Sequence, residues 1–177
     1  MGYIVDERNN QIRSIVLATA AVATLAGSGV AGFLDNANGM LARFNWPYSA
    51  VLHPSGVLYV AGYNDNRIRR VDVSSTAVST LAGSGAGGGG NGVGTLASFS
   101  QPAGITLDAT FSTLYVAEIA GHRIRSITLS TALVQTIAGS GAPSYADGYG
   151  VAALFKQPIF VASSPHGILY TSDDGNN

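Results

Sequence analysis

The sequence contains no cysteine, so it can form neither disulfide bonds nor thiolate metal sites. Charged residues make up only 11% of the chain, less than half of the roughly 25% found in ordinary soluble domains. Nine basic residues against ten acidic ones give a net charge of −1. Since binding of nucleic acid needs clustered positive charge, we do not expect a nucleic-acid partner.

Long hydrophobic runs are also missing. No uninterrupted apolar stretch approaches the ~20 residues that a membrane-spanning helix needs. The segment that starts at Met1 has no basic region leading into an apolar one, so we predict no signal peptide there. We expect an extracellular or cell-surface protein, with the cytoplasm as the alternative.

Glycine is abundant, at 23 residues, and alanine, serine and threonine are frequent. This composition is typical of short strands joined by tight turns, and it predicts an all-β fold rather than a helical bundle.

A 56-residue repeat organises the chain. The segment Leu25–Gly29 returns as Leu81–Gly85 and as Ile137–Gly141. A pattern Ala-x-Phe-x-x-Pro ends at Pro47, Pro102 and Pro158. A third pattern lies between these two, at Gln11-Ile12-Arg13, Arg67-Ile68-Arg69 and Arg123-Ile124-Arg125.

One period of the repeat predicts four short strands rich in Val, Ile, Thr and Tyr. Such a unit fits a blade of a β-propeller, with glycine-rich loops such as 83–94 joining one blade to the next. Ile124 and Ile127 differ in parity, which predicts a bulge or twist in the third strand. In the best-defined unit the strands are roughly Ala103–Asp108, Thr113–Glu118, His122–Leu129 and Leu133–Ala138.

The repeated motifs resemble the NHL repeat over nearly the whole chain. They include Asn66-Arg67-Ile68-Arg69, Pro102-Ala103-Gly104-Ile105 and Asp147-Gly148-Tyr149-Gly150. The sequence departs from that pattern at Gly62, which replaces an expected acid, and at Asn36 and Asn91, which stand where Asp147 stands later. The resemblance implies a β-propeller, often six-bladed. It implies no single function, since members bind proteins or RNA, act as extracellular sensors or, in a minority, catalyse.

We expect one propeller segment over residues 1–177, with repeats at about 3–58, 59–114 and 115–169 and the start of another at 170–177. Three blades are fewer than the four to eight of a closed propeller. Bare blade faces would expose apolar side chains to water. We therefore expect a partial propeller that further repeats or other copies complete, as a multimer or a filament.

Equivalent arginines are the first candidate binding residues. Arg13, Arg69 and Arg125 share one phase of the repeat, and Arg67 and Arg123 share another. A row of them could bind carboxylates, sulfated sugars or phosphates. We favour the simpler interpretation that they pair with the acid of the preceding strand, Asp6 with Arg13 and Glu118 with Arg125. As exposed pairs these would contribute only ~0–1 kcal/mol.

Aromatic residues without counterparts in the other repeats are the second group of candidates. Tyr145 and Tyr149 lie in the last interblade loop, and Trp46 and Tyr48 flank Pro47. Such side chains on loops are suited to contacts with a protein or a glycan. Packing onto a neighbouring blade is the alternative.

Candidate catalytic groups are weak. His53, His122 and His166 occupy different phases of the repeat, so they form no ring of equivalent metal ligands. The only serine motif with flanking glycines, Gly27-Ser28-Gly29, recurs as a turn. The sequence therefore predicts no catalytic, metal-binding or cofactor-binding residue.

Taken together, the sequence predicts a non-enzymatic structural or interaction module, a propeller segment within an extracellular assembly or filament. Its partners would be other copies or further blades, with glycans or protein ligands in addition. A ligand-binding sensor domain of a larger extracellular receptor is the first alternative. The second, implied by the family resemblance, is a metal-dependent lyase of the amidating-lyase type.

Overall fold

A computed structural model describes all residues 1–177 as β-strands joined by turns and single-turn 3-10 helices. None of the helices is long and apolar enough to cross a membrane. The fourteen strands are β1 Gly2–Asp6, β2 Gln11–Val16, β3 Ala21–Ala26, β4 Pro47–Leu52, β5 Val57–Gly62, β6 Arg67–Asp72, β7 Val78–Ala82, β8 Gly92–Val93, β9 Pro102–Leu107, β10 Thr113–Glu118, β11 Arg123–Thr128, β12 Leu133–Ala138, β13 Pro158–Ser163 and β14 Leu169–Asp173.

The strands form four antiparallel sheets that follow one another along the chain. They have the orders β1-β2-β3, β4-β5-β6-β7, β8-β12-β11-β10-β9 and β13-β14. The inner strands β4, β9 and β13 pack side by side. This is the arrangement of propeller blades around an axis, so the predicted all-β propeller fold is confirmed.

The strands predicted in the third sheet are confirmed to within one or two residues at each end. The short strand β8 was not predicted. It pairs with β12, because the glycine-rich linker that enters the third blade folds back along that blade's outer strand. The linker of one repeat therefore packs on the blade of the next.

A β-bulge occurs in three blades, but its extra residue lies on the outer strand, at Leu25, Leu81 and Ile137, and not on the third strand as predicted. The pairing register shifts between Ile12 and Arg13, between Ile68 and Arg69 and, in the third blade, between Ile124 and Arg125. Alternation along β11 places Ile124 and Arg125 on opposite faces of the blade. Both are buried because each face is covered: Ile124 packs with Val161, and the Arg125 guanidinium lies 5.3 Å from the ring centre of Phe99.

The hydrophobic core lies between successive blades. Phe44 and Phe99, both from interblade linkers, are fully buried in the first and second interfaces. Their counterpart Phe155 is only half-buried. A cavity of about 140 Å³ remains beside it, lined by Ile124, Ile137, Val161 and Leu169 among others. The third interface is therefore less completely packed than the other two.

Candidate interaction surfaces

Arg125 is completely buried, at 0% exposure. It donates hydrogen bonds to the carbonyl oxygens of Gly90 and Ser98, each at 3.0 Å, in the linker that enters its blade. It also donates to Asn91 Oδ1 at 3.1 Å and lies 3.3 Å from both carboxylate oxygens of Glu118. The linker and the third strand of the blade are thus joined by one side chain.

Arg69 does the same one repeat earlier, again at 0% exposure. It donates to the carbonyl oxygens of Leu34 and Arg43 at 3.1 and 3.0 Å, and to the carboxylates of Asp35 and Asp65. Arg69 and Arg125, each with the four groups that it binds, are called the arginine clamps below.

The clamps correct the prediction of an exposed arginine row. Arg69 and Arg125 are inaccessible, so their assignment to a partner-binding surface is wrong. The predicted pair of Arg125 with Glu118 is confirmed, but it is buried rather than exposed. Arg13 pairs with Asp6 at 3.2 Å, as predicted, and both of these side chains are partly exposed.

Asp35 and Asn91 occupy equivalent places in the two clamps. Each also accepts hydrogen bonds from the N–H and the hydroxyl of a threonine in the outer strand of the same blade. The counterpart of Asn91 one repeat earlier is therefore Asp35. The placement of Asn36 at this position was wrong by one residue.

The other predicted row is engaged within its own blade. Arg67 donates to the carbonyl oxygen of Ser84 at 2.7 Å, and Arg123 donates to that of Ser140 at 2.9 Å. The guanidinium of Arg67 also lies 3.7 Å from the ring centre of Phe33. These half-buried arginines hold the Gly-Ser-Gly turn in place, and a partner role for Arg13, Arg67 and Arg123 stays a prediction.

The acid missing at Gly62 is supplied by Asp65, three residues later. Its buried carboxylate lies 3.4 Å from Arg69. A Cβ atom at Gly62 would overlap that carboxylate, so the absent side chain leaves the space that Asp65 fills. The third blade has the reverse arrangement, because Glu118 fills the space and Gly121 is the residue without a side chain.

Burial also weakens the acidity of these carboxyl groups. It raises the pKa of Glu118 to about 7, against the opposing effect of Arg125 and of the Ser100 N–H. Burial also raises the pKa of Asp65. Three of the four groups bound by Arg125 are uncharged oxygens, so its clamp depends on directed hydrogen bonds as much as on an ion pair.

Four aromatic side chains form a continuous patch where strand β4 begins. Trp46 stacks on Tyr63 with ring centres 6.2 Å apart, and Tyr63 stacks on Tyr48 at 5.7 Å. Tyr48 lies near Phe160, from the inner strand β13 on the far side of β9, with ring centres 6.4 Å apart. Trp46 and Phe160 are 39% and 59% exposed. We call these four residues the aromatic surface.

Carboxylates flank the aromatic surface. Burial raises the pKa of Tyr48, and the nearby charges of Glu7 and Asp174 add to that shift. Glu7, Tyr63 and Asp174 each follow the second strand of a blade, so these residues belong to one end of the propeller axis. Apolar rings beside a few carboxylates are typical of small-ligand sites.

The structure brings the predicted candidates Trp46 and Tyr48 together and leaves Tyr145 and Tyr149 elsewhere. Tyr149 is 98% exposed, and Tyr145 lies beside a pocket at the edge of the last sheet. Tyr63 and Phe160 were missed by the sequence analysis. The available signal was that Tyr63 is aromatic where the other blades have Ile119 or Asp174.

His122 has a structural role at the same end of the blades. Its Nδ1 accepts a hydrogen bond from the Gln157 N–H at 3.0 Å. Asn10 and Asn66 accept equivalent bonds, and all three residues have a positive φ of 51–53°. Burial lowers the pKa of His122, which favours the neutral ring that this acceptor role requires. His53 lies in a turn on the opposite side, bonded to Ser55.

The variant His122→Asn should make the protein less sensitive to acid. The folded state holds His122 at a lower pKa than the unfolded chain, so its contribution to stability is present above pH ~6.5 and is lost as the pH falls. We expect equal free energies of unfolding for variant and wild type at pH 8, and a more stable variant at pH 5. Urea titrations at both values measure this. An unchanged pH slope in His122→Asn would contradict the assignment.

Comparison with known proteins gives relatives that share this repeat. Protein SUPPRESSOR OF QUENCHING 1, chloroplastic, of Arabidopsis thaliana is 27% identical over 188 residues, covering 99% of this chain and 18% of its own length. NHL repeat-containing protein 2 of Bos taurus is 30% identical over 164 residues, covering 86% of this chain and 23% of its own length. The chain thus spans about a fifth of the curated relatives that it matches. No protein-family model matches the chain.

Solved structures are similar over almost the whole chain. An auxiliary nutrient binding protein from Bacteroides thetaiotaomicron superposes with a TM-score of 0.75 at 20% identity. The match covers 98% of this chain and 43% of that protein. It supports the same blade architecture.

Proposed function

Because the chain belongs to the NHL-repeat family of β-propellers, we propose that it is a non-enzymatic binding module and that the aromatic surface is its ligand site. The similar propeller from Bacteroides thetaiotaomicron is named as a nutrient binding protein, which supports a binding role in general. The observation that carries the proposal is a row of four neighbouring rings, of which Trp46 and Phe160 are exposed and Tyr48 and Tyr63 half-buried. Glu7 and Asp174 lie at the same end of the blades.

A sugar is the ligand that this chemistry suits best. The C–H face of a pyranose ring packs on aromatic rings, and its hydroxyls donate hydrogen bonds to carboxylates. Glu7 and Asp174 lie close enough to the aromatic surface to influence Tyr48. Rigid aromatic side chains also lose little conformational entropy on binding. The proposed ligand is therefore a neutral oligosaccharide.

Trp46 is the only tryptophan of the chain, so its fluorescence reports directly on this surface. Titration with neutral oligosaccharides of glucose, mannose, galactose and xylose should change its emission for at least one series. Tyr63→Ala and Phe160→Ala should each weaken binding about tenfold, equivalent to ~1.4 kcal/mol.

Tyr149→Ala is the matched control, since it removes an exposed aromatic ring outside the aromatic surface. It should bind as the wild type does. If no sugar changes the emission of the folded protein, or if Tyr63→Ala and Phe160→Ala bind normally, the proposal is wrong.

We also propose that residues 1–177 form one propeller segment and that a further sheet covers the open face at β13 and β14. Ile168 and Tyr170 are exposed there, and the cavity beside Phe155 is unfilled. Burying such a face would be favourable at ~25 cal/mol per Å² of apolar area. The proposal also includes that several copies of the chain assemble and that the protein lies outside the cell.

A further inference from the structure

A pocket of about 320 Å³ lies at the edge of the last sheet. Its wall contains Asp147, Asp173, the ring of Phe155 and the linker backbone at Ala146 and Leu154. Each of these has a counterpart among the groups that surround Arg125 in the preceding blade. In the same order, the counterparts are Asn91, Glu118, Phe99, Gly90 and Ser98.

The pocket is formed in the same way as an occupied clamp. Asp173 accepts the N–H of Lys156 at 2.7 Å, as Glu118 accepts the N–H of Ser100 at 2.9 Å. The carbonyl of Ala146 accepts the N–H of Leu154, as the carbonyl of Gly90 accepts that of Ser98. The oxygens that bind an arginine in the previous blade are therefore already oriented here.

The arginine itself is absent from this pocket. Phe155 is half-buried, whereas Phe44 and Phe99 are fully covered by the guanidinium groups and strands next to them. No side chain of the chain donates a hydrogen bond to Asp147, and β14 has an unpaired edge on the side where β11 pairs with β10. The pocket thus lacks both a strand and the cation that the strand would carry.

We propose that this pocket, the arginine socket, binds the guanidinium of an arginine on a strand that pairs with the free edge of β14. The occupant takes the place of the third strand of the blade that β13 and β14 begin, and it comes from a further repeat with the Arg-Ile-Arg pattern. The inference rests on the proposal that a further sheet covers this face, and it names the side chain that fixes the sheet. It does not depend on the aromatic surface.

The chemistry selects arginine over lysine. Two carboxylates and two carbonyl oxygens surround a flat aromatic ring, and no basic residue lines the pocket. A planar guanidinium presents five donors and one face to such a site, whereas an ammonium group presents three donors and no face. Two arginine clamps of the same construction in this chain are the direct precedent.

The test uses the full chain and a fluorescein-labelled peptide that copies residues 122–138, the hairpin of β11 and β12. Binding is followed by fluorescence anisotropy. Replacing the peptide's Arg125 by Gln should weaken binding at least tenfold, and replacing it by Lys should weaken it severalfold. The matched control replaces the peptide's Arg123 by Gln. It has the same net charge but alters an arginine that takes no part in the clamp, since Arg123 binds Gly121 and Ser140 in the protein. It should therefore bind within about threefold of the unmodified peptide.

Variants of the protein test the other side of the contact. Asp147→Ala should weaken binding of the unmodified peptide at least fivefold. Asp147→Asn should retain most of the binding, because Asn91 performs this role in the preceding clamp. Asp147 is exposed and bonded to no other side chain, so both variants should fold.

The outcomes separate the two proposals. If the Arg125→Gln peptide binds as tightly as the unmodified one, or if Asp147→Ala has no effect, a strand still adds to β14 but the arginine socket is wrong. If no peptide binds, no strand pairs with the free edge of β14 and the arginine socket is wrong, while the sheet proposed to cover the open face is not affected.

Discussion

The variant Arg125→Ala is expected to lower the free energy of unfolding by about 3–5 kcal/mol, the usual consequence of removing one partner of a buried charged pair. Glu118 is fully buried beside Arg125, so without that partner it must take up a proton or remain an unpaired anion. The carbonyl oxygens of Gly90 and Ser98 lose a donor in a place that water does not reach. Urea denaturation followed by circular dichroism measures the loss.

Arg70→Ala is the control for this measurement. Arg70 is exposed on strand β6 and makes no side-chain hydrogen bond or ion pair, so its removal should change stability by less than ~0.5 kcal/mol. Equal effects of the two substitutions would show that the clamp does not contribute more than an ordinary surface arginine.

The second large effect on the free energy of unfolding is expected at positions 62 and 65, where Asp65 supplies the acid that Gly62 lacks. Asp65→Gly should destabilise the protein by about 3 kcal/mol, because Arg69 keeps only one carboxylate partner, Asp35. Gly62→Glu alone should cost about as much, since its side chain would overlap Asp65. The double variant Gly62→Glu, Asp65→Gly reproduces the arrangement of Glu118 and Gly121, and should be within about 1 kcal/mol of the wild type.

The decisive quantity is the coupling between the two changes. Chemical denaturation of the two single variants and the double variant gives it directly. The double variant should be several kcal/mol more stable than the sum of the two single effects would predict. If the double variant is as unstable as the sum of the single ones, Asp65 is not the replacement for the missing acid.

The sequence was sufficient to predict the strands and their blades. Its 56-residue period repeats the same short β-branched runs and the same turn glycines, so each unit supports the interpretation of the next. The bulge was predicted in the wrong strand, because Ile124 and Ile127 lie on opposite faces of β11 and both faces are buried between blades. Family resemblance added the propeller.

The burial of Arg69 and Arg125 could not be predicted in this way. An arginine between apolar residues of a strand is typical of an exposed face, and only the return of a distant linker over it makes it a buried residue. The sequence did contain one signal of the acid that pairs with each arginine. In every repeat, one of two positions three residues apart is acidic. The pairs are Asp6 and Asn9, Gly62 and Asp65, Glu118 and Gly121, and Asp173 and Asn176.

The aromatic surface shows the same limit. Trp46 and Tyr48 stood out because their counterparts in the next repeat are Gln101 and Ala103. Phe160 is distant in sequence, and it reaches Tyr48 only because β13 packs closely on β9 at Gly104, where a Cβ atom would meet the backbone of Ile159 and Phe160. Contacts between inner strands depend on this packing and not on the repeat.

Each linker binds the arginine of the blade that follows it in sequence, and this determines where the chain can be cut in protein engineering. A cassette cut at the repeat boundaries 59 and 114 carries Arg69 without Asp35, and Asn91 without Arg125. A cassette of residues 27–82 carries Leu34, Asp35, Arg43, Asp65 and Arg69 together. Blades should therefore be inserted, deleted or shuffled between genes as the second kind of segment.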